Sequence, residues 1–537
     1  MAREANQYFF TSCLRTFVVG SDWKEEPMKP YGPSRQCLIE HPPASPHSWS
    51  HSLGHEAAPF RKPAADTFAT RRDVLRLGAL GLTLPGMFAL QARARAEQPV
   101  RRGSNSLAFG KAKSCIVLFA WGGMSHIDTF DLKPKAGSDV RSAFASIPTS
   151  IPGYHVSEHL PRLAKHVHGM TIIRSANHNA PSHRSAAYWN LTGHEPPKID
   201  ANWEATRKDW PCLGSMVAAA KAAGPSGPSA SQASNNRALP GSVCLPYTMA
   251  DGGRANGQDG GFLGLGFDPV VVRPRTGILY DGVSPSSGSI DLDFTQGIDA
   301  SRFVSRRGLL DALEIRDPAL QGSETAQIRQ YRTQAMDMLL DPKVRAAFNV
   351  DSEPAEVHHA YGKHICGQST LMARKLAEAG VPLVTVYCAA GDLNGSVGAH
   401  WDTHGDGFNR LKNQLLPPID QAMSALLDDL KQRGTLDETL VVLLTEFGRT
   451  PKISGGGGRD HYPNCYTVAF AGAGTCQGLL YGTSDKIGAY PASDPVSPAD
   501  LHATIFHALG IDPHFTIHDR DDRPLKATDG KVLPVFG

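Results

Sequence analysis

Short apolar runs that end abruptly in glycine or polar clusters limit what this chain can fold into. Cys115-Ile116-Val117-Leu118-Phe119-Ala120 is apolar without alternation and breaks at Trp121-Gly122-Gly123, as a strand buried on both faces does on entering a loop. Strands are also predicted over Met170 to Ile173, Leu383 to Cys388, Thr439 to Leu444 and Tyr466 to Ala471. Helical spacing separates them: Leu160 to His168, Ser185 to Leu191 closed by Thr192-Gly193, Gly367 to Ala379 stopped by Gly380 and Pro382, and a long helix from Phe408 to Arg433 ended by Gly434. Strand and helix in turn imply an α/β three-layer sandwich around a mostly parallel sheet. From about 197 to 355 the rhythm loosens into Gly, Pro, Ser and small residues, read as an irregular mid-chain insertion with helices at Pro211 to Ala222 and Ser323 to Leu340.

The chain of 537 residues balances 54 basic against 52 acidic side chains. No Lys/Arg stripe interleaves with aromatics, so nucleic acid is not an expected partner. Arg71-Arg72-Asp73-Val74-Leu75-Arg76, the apolar run Leu77 to Leu90 and Ala92-Arg93-Ala94-Arg95-Ala96 form the charged, apolar and small-residue parts of an export signal. It resembles a twin-arginine signal over 71–96, to be handled by that export machinery and cleaved near Ala96. The run is shorter than the roughly 20 residues a spanning helix needs, so no stable transmembrane anchor is expected. Residues 1–70, rich in Pro, Ser and His, are read as a disordered or mis-called extension, with Met28 as a later start. A single domain is expected over 108–535, exported to the periplasm or cell surface. Of nine cysteines seven follow the signal, an odd number without a C-x-x-C pair, so buried apolar thiols are expected rather than a disulfide framework.

Polar clusters sit where the strands end, which is where open α/β sheets place their chemistry. His400, Asp402 and His404 occupy alternate positions and, in an extended segment, would point one way. Glu446 directly follows a buried strand and needs a compensating cation, either a metal or Arg449 three residues on. Asp460-His461 follows Gly455 to Gly458, a loop able to bring His461 over a site. His126 and Asp128, past the first strand, are candidates for a fourth wall, with Asp131 competing and an Asx-stabilised turn as the plainer account. Imidazole with carboxylate suits zinc, with manganese or calcium as alternatives. The segment His178 to Ser185 opens a helix, so its backbone N–H groups favour an anion; Ser182 or Ser185 would be the nucleophile and Arg184 the anion clamp. An ordinary Ser N-cap explains the same residues.

Five motifs in order, WGGMSHIDTFDLKP from Trp121, IIRSANHNAPSHRSAAYWNLTG from Ile172, YGKHICGQSTLMARKLAEAG from Tyr361, HWDTHGDGFNRLKNQLLPPID from His400 and TEFGRTP from Thr445, resemble the bacterial, twin-arginine-exported domain-of-unknown-function family 1501. That family is an outlying relative of the alkaline phosphatase and sulfatase superfamily. The resemblance implies an alkaline-phosphatase-like sandwich with metal at the C-terminal edge of the sheet and a Ser, Thr or modified Cys nucleophile. Asp402 and His404 look like an Asp-x-x-x-His ligand pair at altered spacing, Glu446 lies where an Asp-His pair falls, and His461 resembles a late single histidine. Ser182, His183 and Ser185 all remain open as nucleophile, and no Cys fits the sulfatase pattern. Gly122-Gly123 and Phe447 stand where the superfamily has ligands; Asp128 or His126 would restore one. The expected function is an exported metal-dependent hydrolase of phosphate or sulfate esters, acting on a small anionic ester or glycan. A non-catalytic exported binding or surface-associated protein and a metal-dependent phosphate mutase are the alternatives.

Overall fold

The computed structural model describes residues 108–201, 203–223, 239–272, 299–316, 323–389, 392–394 and 399–537. The extension, the signal segment and parts of the expected insertion lie outside them. The principal sheet has eight strands: β1 Ser114–Phe119, β2 Met170–Ala176, β3 Val243–Leu245, β4 Val270–Val271, β5 Leu383–Tyr387, β6 Thr439–Leu444, β7 Tyr466–Ala471 and β8 Leu479–Tyr481. Their order across the sheet is β8-β2-β7-β6-β1-β5-β3-β4. Every neighbouring pair is parallel except those of β7, which runs against both β2 and β6. The architecture is the α/β sandwich around a mostly parallel sheet that the apolar runs imply.

Register levels the strand ends. Phe119 stands opposite both Tyr387 and Leu444, so β1, β5 and β6 finish together. Tyr466, which opens the reversed strand β7, stands opposite Ala176 at the end of β2. The loops after β1, β2, β5 and β6 and the loop before β7 therefore share one edge. All six residues of β1 and of β6 are buried, which explains their lack of alternation; each fully buried Val or Leu contributes about 1.5–3 kcal/mol.

The main helices are α1 His183–Thr192, α2 Leu213–Ala223, α3 Ala300–Arg316, α4 Ser323–Leu340, α5 Ile365–Ala379, α6 Leu416–Gln432 and α7 Pro498–Ala508. α5 packs on β1 and β5 with α6 against it, and α2 packs on β5. The loose middle is more than an embellishment, because β3 and β4 extend the main sheet. The long helix expected from Phe408 is interrupted by a π turn over Leu411–Leu415 before α6; Pro417 and Pro418 have no N–H to donate back along a regular helix. The seven cysteines are free thiols, all buried except the half-buried Cys476, in keeping with apolar roles.

Two buried histidines make stability pH-dependent. His364 caps α5 through Nδ1, which accepts the Gly367 N–H at 3.0 Å, a bond only the neutral ring can make. Burial pushes it down to about 4 against a bond with Gln421. His502 is likewise pushed down to about 4 by burial, against its bond to the Asn190 carbonyl. Both folded values lie below the unfolded one, so this stability is present above about pH 6.5 and is lost as pH falls toward about 4. Urea midpoints are expected to fall across that window, and His364→Asn, which keeps a capping acceptor, to flatten part of the slope.

Candidate metal centre

Four donor atoms meet above the shared edge. Asp402 and His404 come from the loop after β5, and His183 is the first residue of α1 after β2. His461 lies in a two-residue strand paired antiparallel with Gly448-Arg449. Asp402 Oδ1 lies 3.2 Å from His183 Nε2, 3.0 Å from His404 Nε2 and 3.3 Å from His461 Nε2. His404 Nε2 and His461 Nε2 are 2.9 Å apart, and donor atoms of His183, Asp402 and His461 all lie within 4.8 Å of one another.

The other nitrogen of each ring decides what these contacts mean. His183 Nδ1 faces Glu446 Oε1 at 2.8 Å, His404 Nδ1 faces Asp460 Oδ1 at 2.7 Å, and His461 Nδ1 faces the Pro181 carbonyl at 3.0 Å. A carboxylate and a carbonyl only accept, so each Nδ1 carries a proton, and the neutral form of each ring has its Nε2 lone pair facing Asp402. His183 Nε2 is buried without a hydrogen-bond partner. The Nε2 atoms of His183 and His461 and Asp402 Oδ1 thus form one compact donor group, with His404 Nε2 beside Asp402 and His461, an arrangement a cation satisfies. Donors about 2.0–2.2 Å from a zinc-sized ion stand roughly 3.3–3.5 Å apart at tetrahedral angles, close to the observed spacings. The residues fit a divalent ion.

Electrostatics agree. Burial opposes ionisation of Asp402, but the neighbouring His183 and His461 rings and the charge of Arg449 outweigh it and hold the carboxyl far below its ordinary range. Burial disfavours protonation of His183, yet Asp402 and Glu446 raise its pKa overall. The site draws positive charge to that ring. Burial lowers His461, against its bond to Asp402. His400, pushed down to about 4 by burial and by Arg410, faces Arg410 Nη2 through Nδ1 at 3.3 Å. Of the three alternate positions, only Asp402 and His404 meet here.

The remaining candidates fall elsewhere or take other roles. Glu446 is fully buried; its Oε1 receives the Gly122 N–H at 2.8 Å as well as His183 Nδ1. It holds the His183 ring from its outer nitrogen and does not itself join the cluster. Arg449 is not its ion partner: the guanidinium lies 2.7 Å from Asp402 Oδ1. Asp128 is no fourth wall, because it pairs with Arg459 at 2.7 Å and accepts from Ser125. His126 Nε2 is bound to the Gly488 carbonyl at 2.7 Å. Asp131 pairs with Lys133. Ser185 Oγ holds the Lys198 carbonyl at 2.9 Å, and Arg184 Nη2 holds the Trp203 carbonyl and Asn256 Oδ1. The clamp and second-nucleophile readings lose those groups to loop anchoring. Ser182 is the N-cap of α1 and its side chain does not cap the helix.

Gly122 and Phe447 now have physical reasons. Gly122 has φ +114°, and a Cβ there would overlap the Asp402 nitrogen and lie 2.7 Å from Trp401 backbone atoms. No side chain, ligating or otherwise, can stand at 122. Phe447, fully buried, sets its ring 4.9 Å from that of His183 and 4.8 Å from that of His461, an apolar wall behind two histidines of the cluster. Gly122→Ala is expected to cost about 3 kcal/mol or more through strain and overlap, read as a lower urea midpoint.

Comparison with known proteins adds the lineage. No curated protein matches the chain in sequence. Among solved structures, Ps i-CgsB is similar at 10% identity and TM-score 0.34, covering 78% of this chain and 74% of that one. PsFucS1 sulfatase from Pseudoalteromonas sp. is similar at 12% and 0.31, covering 78% and 73%. The phosphonate monoester hydrolase of Agrobacterium radiobacter is similar at 9% and 0.31, covering 78% and 76%. With TM-scores this low, the reading of the site rests on its own geometry. A family model described as protein of unknown function (DUF1501) matches residues 112–535. The five motifs and the strand-edge cluster fall within that span, and the chain belongs to the DUF1501 family.

Proposed function

We propose that the chain is an exported metal-dependent hydrolase of phosphate or sulfate esters. The observation that carries the metal half is the buried Nε2 of His183, which faces Asp402 Oδ1 at 3.2 Å without a well-formed hydrogen bond, while Nδ1 of the same ring is tied to Glu446 and His461 and His404 face the same carboxylate oxygen. Three imidazoles and one carboxylate favour zinc or manganese over calcium, which takes oxygen ligands. Bound there, a divalent ion supplies Lewis-acid stabilisation of an ester oxygen.

The hydrolase half rests on what borders the cluster. Ser182 lies between Pro181, whose carbonyl holds His461, and His183 itself. Its hydroxyl sits at the N-terminus of a ten-residue helix, where unpaired backbone N–H groups favour an anionic group. We assign Ser182 as the nucleophile toward phosphorus or sulfur of a small anionic ester, a glycan ester included. Glu446 keeps His183 in the tautomer that ligates, and Arg449 keeps Asp402 ionised. Export rests on the Arg71-Arg72 segment and its apolar run, toward the periplasm or cell surface by the twin-arginine route. Among the described residues no helix is long and apolar enough to cross a membrane.

Elemental analysis of the purified chain is expected to find bound zinc or manganese, lost in His183→Gln and His404→Ala; a folded, metal-free wild type overturns the metal reading. Glu446→Gln is expected to weaken metal binding about 10–100-fold, measured by competition with a chelator. On a panel of phosphate, sulfate and phosphonate esters, Ser182→Ala is expected to retain metal and lose turnover. Metal binding with no cleavage of any ester by the wild type rejects the hydrolase and leaves an exported metal-binding protein.

A further inference from the structure

Asp402 Oδ1 has different neighbours on two sides. One side is the point where the three Nε2 atoms converge; the other is Arg449 Nη2 at 2.7 Å. Two-metal hydrolytic sites set their ions about 3.5–4 Å apart, and each ion needs donors of its own. On the second side Asp402 Oδ1 is taken up by Arg449, which is fully buried. Its Nη2 also donates to the Gly122 carbonyl and, at 3.2 Å, to that of Trp401. Its Nε reaches the Gly123 carbonyl at 3.0 Å and its Nη1 the Arg459 carbonyl at 3.1 Å.

Among the described residues, the groups packed next to this side are engaged by the protein. A side chain at 122 would overlap backbone. Both Glu446 oxygens accept, Oε1 from Gly122 and His183 and Oε2 from the Thr445 hydroxyl at 3.3 Å. His178 donates from Nε2 to the Glu446 carbonyl and accepts at Nδ1 from the Ala180 N–H, so neither nitrogen can ligate. The remaining wall is the Phe447 ring, 5.7 Å from the Arg449 guanidinium carbon.

We infer that the centre takes a single divalent ion and that the guanidinium of Arg449 occupies the place of a second cation on Asp402. This rests on the metal reading above. Arg449 is a positioning residue: its hydrogen bonds go to the protein, and it contributes a fixed charge that neither chelation nor metal scarcity removes. The centre would then need one ion to be complete.

The test loads the full chain with Mn²⁺, counts bound metal against a variant carrying both His183→Gln and His461→Gln, and records the Mn²⁺ electron paramagnetic resonance spectrum. Loss of one equivalent, with the hyperfine pattern of an isolated ion, is expected. Loss of two equivalents with a spin-coupled spectrum overturns the inference and leaves the metal reading intact; no loss overturns both. Thermal unfolding reads the charge directly. Mn²⁺ is expected to raise Tm more in Arg449→Met than in wild type, because the ion then compensates Asp402 alone, and Arg449→Lys is expected to match wild type. Equal rises in all three proteins overturn the cationic role.

Discussion

A carboxylate that must stay charged in a largely buried place organises this molecule. Asp402 is held ionised by Arg449 and faces the imidazoles of His183, His404 and His461. Arg449 in turn needs the carbonyls of Gly122, Gly123, Trp401 and Arg459. One ion pair therefore ties together the loops after β1, β5 and β6 and the glycine-rich approach to His461. Breaking a buried pair on one side costs about 3–5 kcal/mol, because the other charge is left uncompensated.

The sheet makes the pairing possible. Because β1, β5 and β6 end level, and because β7 runs backward, residues from four separate stretches of sequence arrive at one height. Gly122 then lets the backbone of Trp401 and Asp402 lie directly on the end of β1. The tautomers of three histidines follow from acceptors contributed by three different loops. The chemistry of the centre is thus set by hydrogen bonds one step removed from it.

Much of the scaffold was legible in the residues. β6 and β7 and the helix Ser323–Leu340 lie where the apolar pattern places them, since a fully buried strand and a periodic helix declare themselves locally. β3, β4 and β8 have two or three residues each, too few to carry a pattern. α7 carries a local start signal, the capping box of Ser497-Pro498 with Asp500, although its apolar residues form no clean stripe. In the site, Asp402, His404 and His461 were suspected from their positions after strands. His183 as an inward-facing imidazole had one available signal, its place in the first turn of a helix after a strand.

Sequence alone determined the strand and helix rhythm, the edge on which polar clusters gather and the family, because burial and periodicity are local properties of the chain. It left Glu446 and Arg449 as alternative partners of each other or of a metal. Only the tertiary structure decided that Glu446 orients His183, that Arg449 serves Asp402, and that Asp128 and His126 are spent on Arg459 and Gly488. Those choices depend on which acceptor each side chain meets across more than two hundred residues of chain in several cases. Distances of that kind are set by packing between elements and are written in no single segment.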